Sequence, residues 1–254
     1  MLDAILALDG VSVRLGGLQI LDDVSMRVPR GSVTGLIGPN GAGKTTVFNV
    51  ISGFVTAQSG RIRFDGRVLH GHRAHHLTRM GIARTLQGVG LFPDLTAVEN
   101  VMLGAPTRTG IVADALALPW ADAREARVRS RALEALCELE VSDTADRYPS
   151  QLPYPVQKRV ALARALMSDP ALILLDEPAG GIGADDMADL ASLIRSWTPH
   201  RTVLLVEHHM DLVMDVCQQI TVLDTGRVIS VGTPAQVRSD PAVLAAYLGE
   251  PEAS

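Results

Sequence analysis

Cysteine is nearly absent: Cys137 and Cys217 are the two in 254 residues. Neither lies in a CxxC or CxxH spacing, which speaks against a disulfide or a cysteine metal site. Two isolated thiols suit a reducing compartment and small apolar positions. An excess of basic residues is also missing. The net charge is −5, which leaves no basic footprint for nucleic acid. No apolar run approaches the ~20 residues that would span a bilayer. Met1-Leu2-Asp3 lacks the basic region that opens a signal peptide. The expectation is a cytoplasmic protein whose business at a membrane goes through a partner. Internal repeats, low-complexity tracts and long linkers are likewise absent.

What the chain does have is apolar material, 47% of its residues, enough for one large α/β domain with subdomains. The early part alternates as strands do. Val11, Val13 and Leu15 are expected on one face with Ser12 and Arg14 opposite, and Val24, Met26 and Val28 repeat the pattern. Arg61-Ile62-Arg63-Phe64 follows and stops at Asp65-Gly66, a favourable hairpin turn. A helix is expected from about Ala121 to Leu139, with Val128, Ala132, Leu136 and Leu139 on its apolar face. Leu172–Leu175 and Val203–Val206 are wholly apolar and each ends in acidic residues. Such runs read as buried members of a parallel sheet, whose C-terminal ends collect ligands.

The most specific pattern is Gly38-Pro39-Asn40-Gly41-Ala42-Gly43-Lys44-Thr45, between the apolar run Val33–Ile37 and the helix-prone run Thr46–Ile51. A strand, a glycine-rich turn and a helix start form a nest of backbone N–H groups for phosphate. Lys44 is expected to reach the β- and γ-phosphates, the Thr45 hydroxyl to ligate Mg²⁺, and Thr46 to add a phosphate contact. The substrate is therefore a nucleoside triphosphate. Asp176 and Glu177 close the run Leu172–Leu175; Asp176 is expected to hold Mg²⁺ through water and Glu177 to polarise the attacking water. Gln87 is a neutral amide that could sense Mg²⁺ or water, and His208 could donate to the γ-phosphate. His70, His72, His75 and His76 lack a compact pair and accompanying carboxylates, and read as a solvated loop and helix start.

These motifs, with the helix Val160–Leu166 and Asp176-Glu177-Pro178, resemble those of the ATP-binding cassette (ABC) ATPases over nearly the whole chain. Within that family the chain looks most like the ATPases of branched-chain amino acid importers. Gly81-Ile82-Ala83-Arg84-Thr85-Leu86-Gln87, Val206-Glu207-His208-His209-Met210 and Ala246-Tyr247-Leu248-Gly249 carry that closer likeness. The resemblance implies an α/β P-loop fold: a mostly parallel core sheet flanked by helices, an antiparallel β subdomain and a helical subdomain. A single cassette over 1–254 is expected, with residues 1–90 and 157–235 as core, 91–156 helical and 236–254 a C-terminal extension. It further implies ATP and Mg²⁺, a second ATPase subunit sandwiching ATP head to tail, two membrane-spanning permease subunits, and indirectly an extracytoplasmic solute-binding protein. Nucleic acid is not among the expected partners.

The chain departs from the family at Leu152-Pro153-Tyr154-Pro155-Val156, the place of the ABC signature, usually Leu-Ser-Gly/Tyr-Gly-Gln. Pro153 removes a hydroxyl, Pro155 an N–H and Val156 an amide side chain, while proline in a first helical turn leaves the helix intact. Each lost charge-assisted bond to phosphate is worth about 1.5–3 kcal/mol. A heterodimer with a paralogue of intact signature is the expected remedy. Leu15 stands where the family usually stacks an aromatic on adenine, and Gly183 where it has Asp or Asn, which with Gly180 and Gly181 suggests an unusually flexible loop.

Overall fold

The computed structural model describes residues 3–85, 88–106, 119–198 and 200–248. Two sheets form its frame. β1 (Ala4–Leu15) and β2 (Leu18–Pro29) make a long antiparallel hairpin. Its two-residue turn is Gly16-Gly17, both at positive φ (56° and 86°), the backbone that matches strand twist. β3 (Val33–Ile37) leaves for the second sheet, and β4 (Ser59–Phe64) returns to pair with β1. β5 (Arg67–Val68) folds back through the expected Asp65-Gly66 turn. The antiparallel sheet has the order β2-β1-β4-β5.

The second sheet contains β6 (Ile82–Arg84), β7 (Leu172–Asp176), β8 (Thr202–Val206), β9 (Gln219–Asp224) and β10 (Arg227–Gly232) together with β3. Its order is β10-β9-β3-β8-β7-β6, parallel throughout except for the β9–β10 hairpin. Both apolar runs read from the sequence are central strands. Alternate residues feed two different cores. Leu172, Leu174, Leu204 and Val206 pack toward the antiparallel sheet and the helix Lys44–Ile51. Ile173, Leu175, Val203 and Leu205 pack toward the helical part, with Val98, Leu136, Val160 and Ala163. Burial on two faces is why these strands carry no polar alternation.

The helix Ala97–Met102 starts at a capping box, Thr96 with Glu99. Buried Asn100 donates to the carbonyls of Phe92, Leu95 and Thr96 and accepts from the Phe92 N–H, fixing the turn before it. A long helix spans Pro119–Glu138, as the periodicity requires, burying Ala132 and Leu136. The helix Tyr154–Leu166 crosses the expected boundary at 156–157 and belongs to the core shared by the central sheet and the helical part. Helices Pro234–Arg238 and Pro241–Leu248 close the described chain. Among the described residues no helix is long and apolar enough to cross a membrane.

Two expectations fail locally. Leu15 does not follow Val11 and Val13 inward but is 45% exposed at the hairpin tip. It is the last residue of β1, paired with Leu18 beside the Gly16-Gly17 turn, where the strand has run past the edge of the core. Cys217 does occupy a small buried position, whereas Cys137 is exposed on its helix.

Candidate active site

The loop 38–43 leaves the C-terminal end of the fully buried β3 and enters the helix Lys44–Ile51. Two of its glycines are imposed by distant neighbours. Gly38 has φ +150°, and a Cβ there would lie 2.0 Å from the Leu223 carbonyl oxygen. Gly43 has φ +105°, and its Cβ would lie 2.7 Å from the Leu21 side chain. The loop is braced from behind: the Gly226 N–H donates to the Ala42 carbonyl (3.0 Å), and the Asp22 N–H donates to the Gly226 carbonyl (2.8 Å). Lys44, 6% exposed, folds its ammonium back on the loop and donates to the carbonyls of Gly38 (2.6 Å) and Pro39 (2.8 Å). Thr45 and Thr46 follow it in the first helical turn.

Strand β8 lies beside β3, and β7 beside β8, so the chain after each strand emerges at the same end of the sheet as the loop. Asp176 ends β7 with its carboxylate buried. Its Oδ2 accepts from the Arg84 guanidinium at 3.0 Å, and its backbone N–H donates to the Thr85 hydroxyl at 3.2 Å. Arg84 is itself enclosed, donating to Asn49 Oδ1 (2.8 Å) and Ser52 Oγ (3.2 Å) and lying over the rings of Phe48 and Phe54. Glu177 has φ +50°, a left-handed backbone that costs a non-glycine residue about 1–3 kcal/mol. That bend takes the chain out of the sheet and brings Glu177 Oε1 to 2.8 Å from His208 Nε2. Glu207, between β8 and His208, is fully buried and accepts backbone N–H groups from both loops.

Lys158 ties the helix Tyr154–Leu166 to the same place. Its ammonium donates to the carbonyls of Pro178 (2.8 Å) and Glu177 (3.4 Å). Burial pulls its pKa below the ordinary lysine value, against the opposing pull of the Glu207 and Glu177 carboxylates.

The structure thus brings together Gly38, Pro39, Gly41, Ala42, Gly43 and Lys44 in one loop, and Asp176, Glu177 and His208 at the ends of neighbouring strands. Gln87 lies outside the described residues; its flanks Thr85 and Gly88 line a small cavity with Asp176 and Glu177. His72 is turned away to the Ile51 carbonyl (2.8 Å), and His75 meets His76 edge to face. Arg84, Lys158 and Glu207 were not singled out for any role by the sequence reading. The available signals were an arginine three residues before Gln87 and an acidic residue directly after a wholly apolar strand.

At the signature position Pro153 precedes the helix with no side-chain cap, and Pro155 falls in the first turn. Val156 packs against the core, and the neighbouring Gln157 amide is spent on the carbonyls of Pro149 (3.0 Å) and Leu152 (2.9 Å). The three glycines of the loop after Glu177 differ in need. Gly181 has φ +77°, and a Cβ there would lie 3.1 Å from the Tyr154 ring; Gly183 caps the next helix in an ordinary extended conformation.

Comparison with known proteins agrees with this geometry. The ABC transporter family model matches residues 21–180, and the branched-chain amino acid ATP-binding cassette transporter model matches residues 227–253. The chain is 39% identical to the high-affinity branched-chain amino acid transport ATP-binding protein BraF of Pseudomonas aeruginosa, covering 97% of this chain and 98% of BraF. It is 36% identical to LivG of Escherichia coli, a protein of the same description, covering 98% of this chain and all of LivG. A nucleotide-free ATP-binding cassette from an ABC transporter superposes with a TM-score of 0.85 at 30% identity, over 98% of this chain and 100% of that one. A phosphate-loop strand, two acid-tipped neighbours and near full-length likeness converge: the chain belongs to the ABC transporter family, as an ATP-hydrolysing cassette of the branched-chain amino acid group.

Proposed function

We propose that this chain energises the uptake of branched-chain or related amino acids, docked on two permease subunits fed by an extracytoplasmic solute-binding protein. The observation that carries the catalytic reading is the 2.8 Å contact between Glu177 Oε1 and His208 Nε2 at the sheet end that bears the loop 38–45. The loop N–H groups and Lys44 bind the triphosphate, and Lys44 exchanges its two carbonyl partners for phosphate oxygens. The hydroxyl of Thr45 and the carboxylate of Asp176, with Gln87, are hard oxygen donors of the kind Mg²⁺ takes, and two or three of them suit an ion that shares its shell with phosphates and water. When bound, that ion spreads the charge of the transferring phosphoryl group. Glu177 orients the attacking water and takes its proton, while the bond from the γ-phosphorus to the bridging oxygen breaks. His208 donates to Glu177, and the γ-phosphate offers the same N–H a second acceptor.

A cleft of about 300 Å³ beside Arg84 and Thr85, walled by Phe54, Leu77, Leu103 and Arg164, supports docking of a permease segment. Phe54 and Leu103 are both more than half exposed there, as anchors waiting for a partner are. Arg84 links that cleft to Asp176, which gives the partner a direct route to the nucleotide site.

A second reading is favoured by one observation, the loss of a hydroxyl at Pro153, of an N–H at Pro155 and of an amide side chain at Val156. On it the chain is a regulatory cassette that binds ATP and turns over little by itself. Both readings are tested by reconstituting the chain with its membrane partners in lipid vesicles and following leucine uptake and ATP hydrolysis together. Under the transport reading, Glu177→Gln abolishes both; uptake and hydrolysis that survive this substitution overturn it.

A further inference from the structure

Glu207 is 2% exposed and belongs to neither the phosphate loop nor the water-activating pair. Its Oε1 accepts the Ala179 N–H at 2.7 Å. Its Oε2 accepts the N–H groups of His208 (2.6 Å) and His209 (3.2 Å) and lies 3.0 Å from His209 Nδ1. Ala179 is two residues beyond Glu177, on the loop after β7, whereas His208 and His209 follow β8. Pairing between these strands ends at Asp176 and Val206, with one more bond from the Glu177 N–H to the Val206 carbonyl. Beyond that point the two loops are joined by Glu207 and by the contact between Glu177 and His208. The charged groups nearby are Lys158, which feels both carboxylates, Glu177, and the two histidines.

We propose that Glu207 is the positioning residue that holds Glu177 and His208 in register by stapling the loop after β7 to the loop after β8. The proposal rests on the catalytic reading of Glu177 and His208. The chemistry requires a carboxylate of this length. All its backbone partners donate, and a carboxylate offers acceptors at both ends. A glutamine has an acceptor at one end and donors at the other. Whichever way it is flipped, its NH₂ group faces a backbone N–H, either that of Ala179 or that of His208, so one arm of the staple opens. An aspartate keeps the charge but is one methylene too short to reach both loops. Displacing one reacting group by about 1 Å costs on the order of 100-fold in rate.

The test uses the complete chain assembled with its membrane partners, comparing Glu207→Gln, Glu207→Asp, His208→Ala and the double variant Glu207→Gln/His208→Ala. Fold and nucleotide affinity are checked for each by thermal melt and ATP titration. The expected result for Glu207→Gln is a kcat lowered about 10- to 100-fold with ATP affinity within about threefold of wild type. Glu207→Asp is expected to be comparably impaired, and it supplies the readout should the glutamine variant not accumulate. The double variant is expected to match His208→Ala within about threefold, because Glu207 acts through the alignment that His208 completes. Losses that multiply in the double variant, or full activity in Glu207→Asp, overturn the staple. A silent His208→Ala with an impaired Glu207→Gln overturns the route through His208. If both are silent, the catalytic reading of His208 and the staple fall together, while an active Glu207→Gln beside an impaired His208→Ala removes the staple alone.

Discussion

The sheet end that carries residues 38–45, 176–177 and 207–208 and the helix start at 152–156 are built on opposite plans. At the sheet end the charged side chains are held by partners: Lys44 on the loop carbonyls, Asp176 on Arg84, Glu177 on His208. At the helix start, two prolines and a core-facing valine occupy the positions where a phosphate would need donors, and the nearest amide, Gln157, is committed to Pro149 and Leu152. The helix start folds without strain all the same, because proline before and within a first turn removes N–H groups that have no intrahelical partner. Sound folding and phosphate recognition are therefore separable here. In the head-to-tail pairing we propose, the loop and acid pair of this chain would form one half-site and its proline-bearing helix start a depleted one.

The comparison breaks most sharply at Glu177. Glu177→Gln is expected to lower turnover by about 10²- to 10⁴-fold, the usual worth of a positioned base, with ATP affinity unchanged. Lys44→Ala should instead weaken ATP binding by about 3 kcal/mol, two charge-assisted contacts, and calorimetric titration separates the two effects. Equal ATP affinity for wild type and Lys44→Ala would contradict the role of the loop.

The depleted region is sharpened by repair. Pro153→Ser, Pro155→Gly and Val156→Gln together are expected to raise ATPase activity of the isolated chain about tenfold or more at concentrations that allow dimerisation. A contribution of ~1.4 kcal/mol from the restored contacts is enough for that factor. An intact-signature partner cassette should activate the unmodified chain in the same sense. Hydrolysis by the unmodified chain alone as fast as the repaired one would mean that residues 152–156 do not limit the site.

A smaller effect is expected at the base. Leu15 lies exposed at the tip of the β1–β2 hairpin and offers apolar contact but no aromatic face. ATP should be preferred over GTP by less than about 100-fold, or ~2.7 kcal/mol, in competition binding. Leu15→Phe should tighten ATP by ~0.5–1.5 kcal/mol if the residue meets the base. The smallest expected effect concerns the thiols. Burial pushes the Cys217 thiol up to about 12, so the unreactive neutral form persists throughout ordinary pH. At pH 8 an alkylating reagent should label exposed Cys137 and leave Cys217 until the chain is denatured, as mass spectrometry would show.

Much of the fold was legible because its signals are local. Leu172–Leu175 and Val203–Val206 announce doubly buried strands, and the strand–glycine turn–helix run at 33–51 announces its own geometry. Leu15 was misplaced because the hairpin turns immediately after it, so the strand's last residue lies past the edge of the core, which alternation cannot anticipate. Cys137 was misplaced because a small side chain is tolerated on either face of a helix.

The sequence by itself determined the chemical inventory: a phosphate loop, a lysine, two adjacent carboxylates, a histidine, and prolines where donors were expected. Tertiary structure alone decided how those groups are held. Gly38 is obligatory because of Leu223, Asp176 is paired because β6 lies against β7, and Glu207 can reach Ala179 because β8 lies against β7. The physical reason is the same in each case. A buried polar group must find its partner within hydrogen-bond reach, and strand order, rather than proximity along the chain, sets which residues come that close.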